Sequence, residues 1–200
     1  MLRTTARAGV GILPGAAPAE VTNGERCAHS HAEKDLLIAP VGEGLLILIA
    51  GIAGWLVHQP MIFASLGPTA YELIETPHRR SAQPYSLLVG HLVGVGAGFF
   101  SLWVTRAWWA PPVSSAGVPL ARVGCVVLAA ALTVFVNLLI QASQPAATAT
   151  ALLIAAGLLQ RPVDAAVMIG AVLLMAFVGE PLRRVRLNTP VLKQDEKNEK

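Results

Sequence analysis

The stretch Pro60–Val104, PMIFASLGPTAYELIETPHRRSAQPYSLLVGHLVGVGAGFFSLWV, decides the fold of this chain. It begins with a short apolar segment that Gly67-Pro68 interrupts, and it then passes through a polar elbow. A long apolar run follows from Pro84, with His91 two turns inside it. Backbone that is not helical persists at membrane depth only where protein or a water-filled cavity satisfies its polar groups. We therefore expect the functional site to lie in this stretch.

The composition of the chain is that of a membrane protein. Hydrophobic residues make up 54% and charged residues 14% of the 200 positions, and the mean hydropathy is +0.58. Apolar runs long enough to cross about 30 Å of hydrocarbon recur along the chain. They are continuous rather than alternating, which favours helices over a transmembrane β-barrel. The sequence predicts an all-α polytopic transmembrane helical bundle whose partner is the lipid bilayer, without nucleic-acid binding.

Six apolar segments follow one another in the order long, short, long, and then again long, short, long. They cover residues 36–57, 60–75, 84–105, 119–140, 145–159 and 163–178. Both short segments begin with Gln-Pro and contain a Thr-Ala pair, and the first is broken at Gly67-Pro68. Paired short or interrupted segments in corresponding positions indicate a transporter-type site between two inverted repeats. We predict short helices that start at Pro60 and Pro145 and pack near each other.

The polar flanks define the domain boundaries and the orientation. We assign residues 1–34 to a disordered cytoplasmic head, 35–182 to the transmembrane domain and 183–200 to a charged cytoplasmic tail. Arg and Lys near the membrane are more numerous on the side that holds both termini, so the positive-inside rule predicts cytoplasmic termini in a bacterial inner membrane. In the head, Cys27, His29 and His31 lack a fourth ligand, and we predict no metal site.

The polar residues within the apolar segments define a candidate substrate site. Unpaired N–H groups and partial positive charge at a helix N-terminus suit a small anion. His91 adjoins a stripe of glycines that lets another helix approach. It is either a proton-titrating ligand or a neutral histidine bonded to a carbonyl on a neighbouring helix. The residues assigned to the site are Ser65, Gly67, Thr69, His91, Gln144, Thr148 and Thr150.

Three functions remain open from the residues alone. The first is a transporter or channel for a small solute, with the site between the two short segments and the third segment. The second is a non-transporting membrane module that binds a protein partner. The third is an enzyme that acts on lipid headgroups near His78, Arg79 and Arg80. No catalytic signature occurs, so we predict no enzyme activity and no cofactor. The oligomeric state, including a homo-oligomer, stays open.

Three motifs give the hydrophobic part, residues 40–180, a family resemblance. They are Ser-Leu-Gly-Pro-Thr-Ala at 65–70, Ser-Ala-Gln-Pro at 81–84 and Gly-His-Leu at 90–92. In these motifs the chain resembles the HPP family of integral membrane proteins. The name-giving His-Pro-Pro block of that family falls on residues 143–145, where Ser143 and Gln144 replace the His and the first Pro. The resemblance implies transport of a small inorganic anion such as nitrite.

Overall fold

The computed structural model describes residues 23–114 and 118–188, and this part of the chain is helical without strands. Its helices are α1 (Asn23–Leu56), α2 (Leu66–Ile74), α3 (Pro84–Val104), α4 (Leu120–Leu139), α5 (Pro145–Ala155) and α6 (Pro162–Leu187). Short 3-10 turns occupy Arg80–Ala82 and Ala107–Trp109. Four helices, α1, α3, α4 and α6, are long and apolar enough to cross a membrane. The predicted helical membrane bundle, with its two long-short-long halves, is confirmed.

The chain divides into two units, Met1–Asp35 and Leu36–Lys200. In the first unit only the backbone of residues 23–35, the beginning of α1, is described. The side chains of the Cys27, His29 and His31 group therefore lie outside the described residues, as do residues 1–22 of the predicted head. Everything below concerns the second unit.

Helix α3 is central to the packing of the second unit, because it contacts α4, α5 and α6. Large apolar side chains remain exposed around the bundle, as lipid-facing residues do; Trp109 is 91% and Phe177 is 82% exposed. An ordinary soluble fold does not leave so much apolar surface in water. The composition, the spans and this surface together identify an integral membrane protein.

The glycines of α3 bring α5 into direct backbone contact. A Cβ atom on Gly90 would stand 2.6 Å from the Cβ of Gln144, and one on Gly98 would stand 2.8 Å from the Cβ of Ile154. Between them, Gly94 faces the carbonyl oxygen of Ala147 so closely that no side chain fits. The predicted close approach at the glycine stripe is therefore confirmed, and its partner is α5.

The first short helix differs from the prediction at its start. Helix α2 begins at Leu66 rather than Pro60, and Gly67-Pro68 does not break it. The first four N–H groups of a helix have no partner within it, so proline in the first turn costs no hydrogen bond. Residues 60–65 are irregular or turn. Helix α5, in contrast, begins at Pro145 as predicted, and α2 contacts α5.

The last helix also differs from the prediction, because α6 continues through Pro181 to Leu187. Its final turns are held by arginines that the sequence placed in the tail. The Nε atom of Arg183 donates to the carbonyl of Pro77 at 2.7 Å, and that of Arg186 donates to the carbonyl of Ile74 at 3.0 Å. These bonds fasten the end of α6 to the end of α2, which compensates for the hydrogen bond that the proline removes.

The contacts define two ends of the bundle. At the near end, α2 and α6 end together and Pro84 of α3 lies beside Pro181. At the far end, the carbonyl of Ala156 after α5 accepts from the N–H of Val113, and the Gln160 amide donates to the carbonyl of Trp108. Helix α5 therefore runs from the near end, where Gln144 packs against Gly90, to the far end. Helix α2 ends at the near end, and the chain before it turns, with the N–H of Leu66 bonded to the carbonyl of Phe63.

Candidate functional site

The site begins with a contact between α2 and α3. The Oγ1 atom of Thr69 lies 3.5 Å from Nε2 of His91, and its hydroxyl donates to the carbonyl of Ser65 at 2.9 Å. Nδ1 of His91 lies 2.7 Å from the carbonyl oxygen of Leu87, one turn earlier in α3. Thr69 and His91 are both fully buried. The two helices are thus joined by a polar bridge in the interior of the bundle.

The carbonyl of Leu87 determines the tautomer of His91. A carbonyl only accepts, so the short contact requires the proton to be on Nδ1. Nε2 is then the nitrogen that faces the Thr69 hydroxyl. The single proton of the Thr69 hydroxyl is donated to the carbonyl of Ser65, so only Nδ1 has a firm hydrogen bond, and Nε2 faces the hydroxyl oxygen. The carbonyl that His91 binds belongs to α3 itself and not, as the sequence alternative had it, to a neighbouring helix.

Two buried side chains beside this bridge have polar atoms without a hydrogen bond in the part of the chain that the structure describes. Glu72, one turn beyond Thr69 on α2, is 8% exposed, and its Oε2 atom has no hydrogen bond. Gln144 is 2% exposed, and neither its Oε1 nor its Nε2 has one. Gln144 lies near enough to act on the titration of the Glu72 carboxyl group. A buried polar group without a partner is costly, so such a pair indicates a place where something else binds.

Local structure explains why Gln144 is in this position. It is the N-cap residue of α5, with extended backbone, and its side chain makes no capping bond. Its Cβ atom packs against Gly90, where any larger residue would push the start of α5 away. The side chain therefore enters the bundle next to the first N–H groups of α5, which carry partial positive charge.

Burial of Glu72 disfavours its charged carboxylate form. The side chains of Ser81 and Gln144 and the positive charge of Arg79 stabilise that form. Glu72 was not among the site residues assigned from the sequence. Its spacing from Ser65 and Thr69, seven and three residues, puts it on the same helix face and would have indicated burial.

The remaining predicted site residues have different surroundings. Ser65 is buried, with its hydroxyl 4.0 Å from the sulfur of Met168. Thr150 is fully buried and its hydroxyl has no partner; it lies about 9 Å further along α5 than Gln144. Gly67 and Thr148 are only partly buried. The structure thus brings Thr69, His91 and Gln144 together with Glu72.

No group of three or more His, Cys, Asp or Glu side chains that could hold a metal ion occurs in the part of the chain that the structure describes. The candidate site is built instead from one carboxyl group, one carboxamide, one imidazole and one hydroxyl. Such a set offers hydrogen-bond donors and acceptors of both kinds to a small polar solute.

A second buried polar residue, Arg122 of α4, was missed by sequence reasoning, which counted it as an interfacial charge. It is fully buried at the far end. Its guanidinium donates to the carbonyls of Pro111 at 3.3 Å, of Ala155 at 3.0 Å and of Ala110. Arg122 therefore joins the C-terminal end of α5, which is the negative end of the helix dipole, to the elbow before α4.

Comparison with known proteins gives one family. The family model described as HPP, transmembrane region, matches residues 28–183. That range contains all six apolar segments and the whole candidate site. No match was found among curated proteins or among solved structures.

Proposed function

The chain belongs to the family of the HPP transmembrane region, and from this premise we propose that it is a transporter or channel for a small solute, with its binding site between α2, α3 and the start of α5. The proposal includes the orientation with both termini in the cytoplasm of a bacterial cell and the location in the inner membrane. Both rest on the Arg and Lys distribution.

The proposal depends on one observation. The buried side chains of Glu72 and Gln144 have polar atoms that form no hydrogen bond within the described residues. Polar groups inside a membrane protein are expensive and usually mark a path for a substrate or an ion. The pair lies where two short helices meet a long one, which is the arrangement in which secondary transporters bind their substrates. A purely structural bundle would gain stability from apolar residues at both positions.

A small inorganic anion, such as nitrite, is the solute class that the start of α5 supports. Pro145 has no N–H, and the N–H of Ala147 bonds to the carbonyl of Gln144. The donors at this helix start are therefore the N–H of Ala146 and the Nε2 amide of Gln144. The hydroxyl of Thr150 is a further donor without a partner along the same helix. These donors replace part of the hydration that an anion loses when it enters the bundle.

Uptake by purified protein in proteoliposomes tests this function, with a panel that contains nitrite, nitrate, chloride and an uncharged solute. We expect saturable uptake of at least one anion, reduced more than tenfold by Gln144→Leu. Gln83→Leu is the matched control, because Gln83 also precedes a proline at a helix start but is exposed. Lack of uptake for every solute in wild-type vesicles contradicts transport and favours the non-transporting module.

A further inference from the structure

We propose that Glu72 is the proton-binding residue of this site, so that the anion enters only together with a proton carried on the Glu72 carboxyl group. This inference rests on the proposed function and adds the coupling ion to it. The solute class becomes an anion plus one proton, taken up by symport.

The position of the carboxyl group carries the argument. Glu72 and Gln144 are both buried and lie close enough to interact, and the Oε2 atom of Glu72 has no hydrogen bond in the part of the chain that the structure describes. In its ionised form it would repel an anion at the start of α5, since like charges in a space of low polarity interact strongly. The site as built therefore accepts an anion only when this carboxyl group is neutral.

Protonation also adds a donor where the anion needs one. A protonated carboxyl group has one O–H donor, whereas a carboxylate only accepts. The O–H of Glu72, the Nε2 amide of Gln144 and the N–H of Ala146 then all donate to the same occupant. By linkage, the bound anion raises the proton affinity of Glu72 as much as the proton raises the affinity for the anion.

The other titratable and charged groups around α2 do not supply this proton. Ser81 and the exposed Arg79 come from the elbow, and the positive charge of Arg79 favours the ionised form of Glu72. On α3, Nδ1 of His91 is bonded to the carbonyl of Leu87, and Nε2 faces the hydroxyl of Thr69. The charged groups that α6 and the end of α2 contribute are tied to one another or to carbonyls; they are Glu75, Glu180, Arg183 and Arg186.

The first experiment measures nitrite uptake into proteoliposomes with and without an inward proton gradient at zero membrane potential. Protein-free vesicles correct for passive entry of the conjugate acid. We expect the gradient to drive accumulation at least fivefold above equilibrium in wild type. Glu72→Gln, which mimics the neutral carboxyl group, takes up nitrite without accumulation and without pH dependence. Glu75→Gln is the control, because Glu75 lies one turn further on and is half exposed.

The second experiment does not depend on transport or on a variant that folds. A hydrophobic carbodiimide reacts with protonated carboxyl groups in apolar surroundings, and mass spectrometry locates the adduct. In the wild-type protein we expect an adduct on Glu72 that forms faster as the pH falls, with a midpoint above the ordinary value of about 4.3 for glutamate. Nitrite shifts this midpoint upward, whereas chloride at equal ionic strength does not.

The outcomes separate the two proposals. If nitrite uptake does not change with the proton gradient, proton coupling is wrong and transport stands. The same holds if the Glu72→Gln protein still accumulates nitrite. A wild-type protein that takes up nothing overturns both. A Glu72 adduct whose rate does not change with pH, or a midpoint that nitrite does not move, overturns the role of Glu72 whatever the transport assay gives.

Discussion

At the scale of the residue, the surroundings of His91 favour a role in packing over a role in transport. Its Nδ1 is bonded to the carbonyl of Leu87, and its Nε2 faces the hydroxyl of Thr69. The sequence left two roles open for this residue, since a histidine in a membrane segment titrates near neutral pH and is costly there. The hydrogen bonds favour the structural role.

Substitution of His91 distinguishes the two roles. We expect His91→Gln to fold, insert and keep the pH dependence of uptake, because the proton is bound at Glu72. His91→Leu loses the bridge to Thr69 and lowers the free energy of unfolding by about 1 kcal/mol, the usual worth of an interhelical hydrogen bond. Thermal unfolding in detergent and uptake between pH 5 and pH 8 are the measurements. Loss of pH dependence in a folded His91→Gln protein would return the proton role to His91.

Arg122 gives a second prediction at the same scale. Arg122→Gln removes the donors to the carbonyls of Pro111 and Ala155 and leaves the carbonyl of the buried Ala155 without this donor. We expect a loss of about 3 kcal/mol in stability, since each bond to a charged donor is worth more than a neutral one. Arg122→Lys should recover little of this stability, because one ammonium group does not reproduce the planar set of donors of the guanidinium group. Denaturation in detergent measures both. Equal stability of the lysine variant and wild type would contradict the argument.

Residue types within one segment were predictable, whereas pairings between distant segments were not. Thr69 and His91 were assigned to one site because motif and depth pointed to each of them. The approach of Glu72 to Gln144 joins residues far apart in the chain, and no local pattern encodes it. From the sequence, Arg122 is expected at the membrane interface because it lies in the first turn of α4. It is buried because the elbow at Ala110 and Pro111 folds over it.

At the scale of the element, the contact between α3 and α5 rests on glycines, and this can be tested with a matched pair. A Cβ atom on Gly94 meets the carbonyl of Ala147, whereas one on Gly96 meets nothing within 4 Å. Gly94→Ala must therefore push α5 outward, and we expect a loss of about 2 kcal/mol, typical of overpacking. Gly96→Ala should be neutral or slightly stabilising, because alanine favours helix. The unfolding temperatures in detergent compare the two, and similar values would contradict the close approach.

The ends of the elements show where sequence reading succeeds and fails. Helices α3, α4 and α5 begin and end close to the predicted positions, because a proline and a polar turn bound each apolar run. At α2 and α6, the sequence predicts that proline breaks the helix, and both predictions are wrong for different reasons. Pro68 lies in a first turn, where it is harmless, and Pro181 is followed by arginines that anchor the helix to α2. Tertiary bonds of this kind are not encoded in a local pattern.

At the scale of the whole molecule, the two halves resemble each other in how their first helices end. After α1 and after α4 the chain turns with a non-glycine residue in the left-handed region, His58 and Gln141. In both turns the N–H of the following residue bonds back five positions, from Gln59 to Gly54 and from Ala142 to Asn137. This is the Schellman pattern, a common helix end that also follows α5 at Gly157, so it does not by itself establish the internal repeat.

The two halves also run in opposite directions, which leads to the last prediction. If all six segments cross, α1 leaves the near end and α4 leaves the far end, and the exposed loops alternate between the two sides of the membrane. His58 and Ser114 lie in far-end loops, and His78 and Ser143 lie in near-end loops. In a cysteine-free background, single cysteines at these positions report their side by reaction with a reagent that does not permeate.

We expect the cysteines of His78→Cys and Ser143→Cys to react only from the cytoplasm, and those of His58→Cys and Ser114→Cys only from outside, because arginines are concentrated at the near end. If α2 entered and returned on the same side instead of crossing, His58 and His78 would share one side and Ser114 would take the other. The starts of α3 and α5 face the same compartment in either case, because α3 and α4 both cross. With α1 starting in the cytoplasm, only six crossings make that compartment the cytoplasm. The solute and its proton would then enter a site that opens between the two halves, with the Gly90–Gln144 contact at its cytoplasmic end.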